Sequence, residues 1–112
     1  MLYIRFMKKW TIEFFNETVE AEFECLPAEA RAKTIHISKL IREFGLPDIG
    51  LPYTRHVQDK IWEIRALQGR SLYITAAGKK VIILRCFIKK SKKLPRKELK
   101  IAIKRAGEIE NG

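Results

Sequence analysis

Three extended segments in close succession, Ile61 to Ala66, Ser71 to Thr75 and Lys80 to Ile88, constrain the fold most, because the turns between them allow only reversals. The first turn crosses Gln68 and Gly69 and the second Ala77 and Gly78, which is hairpin spacing. An antiparallel meander is therefore the framework. Within it, Trp62, Ile64 and Ala66 alternate with Ile61, Glu63 and Arg65, and Ile82, Leu84, Cys86 and Ile88 alternate with Arg85, Phe87 and Lys89. Side chains point to opposite faces of a strand in turn, so this parity predicts one core face and one cationic face.

The flanking segments are helical apart from the first. Trp10 to Phe15 has strand character, with Trp10, Ile12 and Phe14 on one side. Asn16 is placed to cap a helix from Glu17 whose Val19, Phe23 and Leu26 recur at helical spacing. Pro27 resets the chain, and a second helix from Ala28 to Phe44 carries Ile37, Leu40, Ile41 and Phe44 inward before Gly45 stops it. Leu46 to Tyr53, with two prolines and a glycine, predicts a surface connection leading toward His56. Pro95 opens a last helix with Leu99, Ala102, Ile103 and Ala106 on its core side. The expected fold is α+β, one small domain over residues 1–112, ordered β-α-α-β-β-β-α, with a four-stranded, mainly antiparallel sheet and helices on one face.

A chain of 112 residues with 46% hydrophobic and 32% charged residues has ordinary globular composition, so its net charge of +10 decorates a folded body. Cys25 and Cys86 read as small buried hydrophobes rather than a disulfide, which places the protein in the cytoplasm. No CxxC occurs and His36 and His56 stand apart, so neither a metal nor another cofactor is expected. The opening MLYIRFMKKW is apolar but interrupted by Arg5 and lacks a cleavage site, and residues 1–6 read as an extension ahead of the first strand. No apolar run approaches the roughly 18 residues of a membrane helix, so no membrane association is expected.

The charge is concentrated. Between Lys79 and Arg105 lie twelve of the 23 Lys and Arg residues against one acid, Glu98. A positive field on so short a stretch is the footprint of a phosphate-bearing partner. Arg65, Arg85 and Lys89 interleaved with Phe87 fit a single-stranded RNA platform, in which cations hold phosphates and an aromatic ring stacks a base. The competing reading is a solvated basic face, with Glu63 and Arg65 as an ion pair.

The segments WEIR (62–65), GRSLY (69–73) and VIILRCFIKKSKKLP (81–95), followed by an amphipathic helix, resemble the RelE/HigB-like toxins of type II toxin–antitoxin systems, and most of all the phage-derived HigB-type branch. The resemblance implies a ribosome-dependent endoribonuclease, an mRNA interferase that cuts translated messages in the ribosomal A site. It also implies a cognate antitoxin, HigA-like with a helix-turn-helix or RelB-like. The chemistry implied is metal-independent attack by the ribose 2′-hydroxyl on the adjacent phosphate, which needs a base, an acid and cations for the phosphorane. A non-catalytic RNA-binding or antitoxin-binding module of the same fold is the alternative.

Carried over position by position, the resemblance makes Arg65 and Arg70 phosphate clamps, Lys89 and Lys90 transition-state cations, Tyr73 a structural or proton-handling group, and His56 a working histidine. Arg85, Phe87, Lys92, Lys93, Arg96 and Lys97 complete the implied RNA contacts. Parity sets conditions on these roles. Arg70 shares a side with Leu72 and Ile74 and reaches the cationic face only at a strand end or bulge. Lys90 falls on the apolar side and must lie beyond the sheet edge to act. Tyr73 equally fits a gap beside the sheet, and His56 a surface loop. Leu94 departs from the family's threonine helix cap, and Arg96 and Lys97 load a helix start with the charge its dipole disfavours. Ile101 and Ile109 on the last helix are a candidate antitoxin surface or part of the interior.

Overall fold

The computed structural model describes residues 9–111, so the proposed extension over residues 1–6 lies outside the described residues. The elements are β1 (Thr11–Phe14), α1 (Glu17–Glu24), α2 (Ala28–Phe44), β2 (Thr54–Gln58), β3 (Ile61–Ala66), β4 (Gly69–Ala76), β5 (Lys80–Ile88) and α3 (Arg96–Asn111), with a 3₁₀ turn at Leu46–Asp48. The sheet has five strands in the order β1-β5-β4-β3-β2, with β1 parallel to β5 and the other pairs antiparallel.

Local signals set most of these boundaries. The Asn16 side chain accepts a hydrogen bond from the Val19 N–H at 3.0 Å, which caps α1. Gly45 ends α2 at a φ of 87°, a conformation that costs glycine nothing. At Gly69 the reason is closeness instead: a Cβ there would lie 3.0 Å from the Ala30 Cβ and 3.2 Å from the Ala66 carbonyl oxygen. The absent side chain lets α2 close down on the β3–β4 turn.

The sheet is covered on both faces, which corrects the expectation of helices on one. Val19, Phe23, Ala30, Ile37 and Ile41 from α1 and α2, with Leu26 between the two helices, pack on Ile64, Ala66, Tyr73, Val81, Ile83 and Cys86. On the opposite face Ala102 and Ala106 of α3 pack on Ile61, Leu72, Ile74, Leu84 and Phe87. Leu94, Leu99 and Ile109 flank that second core, so Leu94 serves as an apolar anchor where a capping group was missing, and Ile109 belongs to the interior. Ile103, expected inside, is exposed, as are Phe44 and Cys25.

The fifth strand is the second correction. Thr54–Gln58 follows the proline-rich connection and pairs with β3, Arg55 opposite Glu63 and His56 opposite Trp62. Its five residues alternate too briefly to stand out in sequence, and its pairing is with a strand already assigned.

A bulge in β5 is the third. Leu72 pairs with Arg85 but the next residue, Tyr73, pairs with Ile83, so Leu84 is the extra residue. Simple parity therefore fails at Leu84. Val81, Ile83 and Cys86 face α1 and α2, while Ile82, Leu84 and Phe87 face α3. The row Ile82, Leu84, Cys86, Ile88 does not exist as a single face.

A cationic basin as the candidate functional site

Beside α3, the second face of the sheet is left uncovered by helix, and there cations gather. Arg65 and Arg70 stand directly opposite each other on β3 and β4. Together with Arg55 of β2 and Lys89, Lys90, Ser91 and Lys92 beyond β5 they line an open basin of about 560 Å³. A smaller cavity of about 270 Å³ adjoins it, lined by Arg55, His56, Val57, Glu63, Lys89, Lys92, Lys93 and Leu94.

The parity conflict over Arg70 resolves through the second core. Leu72 and Ile74 do face a core, but it is the one under α3, on the same side as the basin. Arg70 lies one pair further along that face, past the end of the helix cover, and is only 9% exposed. Its Nη1 donates to the carbonyls of Leu67 at 2.6 Å and Gly69 at 2.9 Å, which fixes the guanidinium against the hairpin turn. Burial lowers its pKa, as do the charges of Arg65 and Arg55, while Glu63 acts in the other direction. Among the described residues the buried Nε atoms of Arg65 and Arg70 have no hydrogen-bond partner. Unsatisfied buried donors are costly, and these two lie on one surface among further cations.

The bulge brings Lys89 to this basin. It moves Phe87 and Lys89 to the face shared by Arg65 and Arg70, and the Lys89 N–H donates to the Gln68 carbonyl at 2.8 Å, which holds the strand end in place. Lys90 lies past the last residue of β5, exposed and on the basin wall. Ser91 donates to the Lys93 carbonyl at 3.0 Å, shaping the loop that carries Lys92 and Lys93 over the smaller cavity.

Six residues expected at the site are placed differently from the arginines and lysines of the basin. Phe87 is 6% exposed under α3 and offers no ring to a base. Arg85 donates to Glu22 at 2.6 Å and to Glu98 at 3.0 Å, and Arg105 joins it on Glu22 at 3.1 Å. This network ties α1, β5 and α3 together, so Arg85 is structural. Burial opposes the Glu22 charge, but hydrogen bonds from Arg105, the Cys86 N–H and Arg85 outweigh it and lower the carboxyl pKa. Tyr73 faces α2, 1% exposed, on the side of the sheet away from the basin. Burial pushes its phenol up to about 12, against a hydrogen bond with Thr54. His56 packs edge-on against Trp62 with ring centres 5.1 Å apart, and its Nε2 donates to the Asp59 carbonyl at 2.7 Å. Arg96 and Lys97 are exposed on the first turn of α3 and line neither basic cavity.

Arg55 was missed by sequence reasoning, because the strand that carries it was missed. Its signal was the two-residue spacing of Arg55 and Val57, which puts both on one face: Arg55 pairs with Glu63, and Val57 packs against the core that holds Ile61.

A family model described as phage derived protein Gp49-like (DUF891) matches residues 21–107. The chain belongs to this Gp49-like family. No curated protein matches it. The fold is that of RelE toxins. A structure of the RelBE2 toxin–antitoxin complex from Mycobacterium tuberculosis aligns at a TM-score of 0.54 and 21% identity, covering 76% of this chain and 97% of that one. The archaeal RelE–RelB complex from Pyrococcus horikoshii aligns at 0.59 and 11%, covering 72% and 96%. A mutant of E. coli toxin RelE in the free state aligns at 0.56 and 18%, covering 88% and 98%. No helix among the described residues is long and apolar enough to cross a membrane.

Proposed function

We propose that this Gp49-like protein is the toxin of a type II toxin–antitoxin system, an mRNA interferase that cleaves messages on the ribosome, in the cytoplasm, and is silenced by a cognate antitoxin. The observation that carries this reading is the pair of facing guanidiniums, Arg65 and Arg70, whose buried Nε atoms have no hydrogen-bond partner among the described residues. Donors of that kind, with Lys89 and Lys90 on the same wall, suit the two negative oxygens of an RNA phosphodiester and the further charge that develops on it in a phosphorane. The RelE-like fold and the toxin–antitoxin complexes among its structural likenesses support the partner.

In this reading Arg65 and Arg70 clamp the scissile phosphate and Lys89 and Lys90 stabilise charge in the transition state, while Lys92 and Lys93 hold the neighbouring backbone. No cofactor takes part. The 2′-hydroxyl is the nucleophile, so cleavage leaves a cyclic phosphate and a 5′-hydroxyl.

The test is a ribosome programmed with a defined message and incubated with the purified protein, with new 5′ ends mapped by primer extension. Cuts within the A-site codon that vanish in a variant carrying both R65A and K89A support the reading. Intact messages with the parent protein, or equal cutting by the double variant, refute it. One observation favours the second reading, a non-catalytic RNA-binding module: of the groups expected to move protons, Tyr73 faces the other side of the sheet, and His56, on the smaller cavity, has its Nε2 held by the Asp59 carbonyl. That module binds RNA with salt-sensitive affinity and yields no cut products.

A further inference from the structure

Tyr73 is buried on the other face of the sheet, and His56, which lines the smaller cavity, has its Nε2 held by the Asp59 carbonyl, so the basin needs another group to take the proton from the nucleophile. Its arginines cannot serve, since a guanidinium in a protein keeps its protons and has no acceptor. A lysine ammonium likewise offers donors only. Among the described residues that line the two basic cavities, one carries a carboxylate: Glu63. It sits in the middle of β3, opposite Arg55 on β2 and Leu72 on β4, on the face that holds Arg65 and Arg70. It is 3% exposed, and its Oε1 lies 3.7 Å from the Arg65 Nε, beyond hydrogen-bond range. The Arg65 pairing therefore leaves that oxygen's accepting capacity open, at the floor of a cavity walled by Arg55, Lys89, Lys92 and Lys93.

We propose that Glu63 is the general base of the cleavage reaction, an assignment that rests on the nuclease reading above. The carboxylate takes the proton of the ribose 2′-hydroxyl as the 2′-oxygen forms its bond to phosphorus. The bond from phosphorus to the 5′-oxygen breaks, and that oxygen takes a proton from the Lys89 ammonium. The products are a 2′,3′-cyclic phosphate and a 5′-hydroxyl, with Glu63 protonated and Lys89 neutral until each exchanges a proton with water. Arg65 and Arg70 change neither charge nor bonding and carry the phosphorane oxygens. A carboxylate set among guanidiniums has a second effect, since it lets three arginines share one face without adding their full repulsion.

The experiment compares single-turnover cleavage by the parent and by Glu63→Gln on programmed ribosomes, with affinity measured separately on ribosomes whose A-site codon carries 2′-O-methyl riboses and cannot be cut. Glutamine keeps the shape and removes the basicity. The expected result is a loss of about 10²–10⁴-fold in rate with unchanged affinity for the methylated message. The parent rate also falls toward acid, and the variant lacks that limb. Equal rates for parent and variant overturn the proposal while leaving the nuclease reading intact. So does a loss of affinity as large as the loss of rate, which marks Glu63 as a positioning residue for Arg65. A parent rate with no acid limb overturns it without recourse to any variant. A parent that leaves every message whole removes the nuclease reading and this assignment together.

Discussion

Arg65 and Arg70 face each other across β3 and β4, two like charges in register, and each keeps a buried Nε that no group on the described chain satisfies. Like charges directly opposite in a sheet oppose folding, so this pair is a standing cost that a bound anion relieves. Inorganic phosphate should therefore raise the thermal midpoint of the parent protein, by up to about 2.7 kcal/mol of stability at a hundredfold excess over Kd. The same titration on Arg70→Ala should show little shift. Differential scanning fluorimetry at constant ionic strength reads both, and equal shifts in parent and variant contradict the anion site.

RNA binding should carry the signature of phosphate contacts. Replacing Lys89 with Ala removes one cation from the basin wall, and the slope of log affinity against log salt should become shallower by about 0.7 for a single strand. Filter binding of a short non-cleavable RNA over a range of salt measures it. An unchanged slope would place Lys89 outside the contact surface.

Glu22 links stability to pH. Its carboxyl is held below the ordinary range by Arg105, the Cys86 N–H and Arg85 against the opposing effect of burial. The unfolded chain then binds this proton more readily than the folded one. The stabilisation is fully present above the unfolded pKa and is lost as pH falls through the folded pKa. Glu22→Gln should cost roughly 1.5–3 kcal/mol at neutral pH and flatten the decline of stability in acid. Urea denaturation at neutral and acidic pH is the measurement.

Two core substitutions separate packing from chemistry. Phe87→Ala should destabilise the protein by about 3–5 kcal/mol, because the ring fills the core beneath α3. Tyr73→Phe should cost only about 1 kcal/mol and leave RNA affinity unchanged, since the hydroxyl meets Thr54 on the face away from the basin. Loss of RNA binding without loss of stability in either variant would reverse these placements.

Gly69 is the tightest point between helix and sheet. Gly69→Ala sets a methyl 3.0 Å from the Ala30 Cβ and should cost about 1–3 kcal/mol as overpacking. The double variant Gly69→Ala with Ala30→Gly should recover part of that loss, which chemical denaturation would show.

Where the determinants are local, the chain declares its own structure. Pro27 and Gly45 bracket α2, Asn16 caps α1, and alternation with turn chemistry gives the bounds of β3 and β5, whereas β4 runs from Gly69 to Ala76, longer at both ends than the expected Ser71–Thr75, because Gly69 and Arg70 pair with Ala66 and Arg65. The linked segments WEIR, GRSLY and FIKKSKKLP carried the likeness to RelE toxins, and the Gly69 and Arg70 within them now have physical duties at the hairpin.

Tertiary structure decided which of those residues meet. Alternation says that neighbours in a strand take opposite faces, but it does not say what covers each face, and here both are covered in part. One extra residue at Leu84 reverses the sense of everything after it, burying Phe87 and delivering Lys89 to the arginines. Arg85 left the cationic face because Glu22, 63 positions away in the chain, and Glu98 came within reach of it. Such choices depend on contacts between segments far apart in sequence, whose energies no local period encodes.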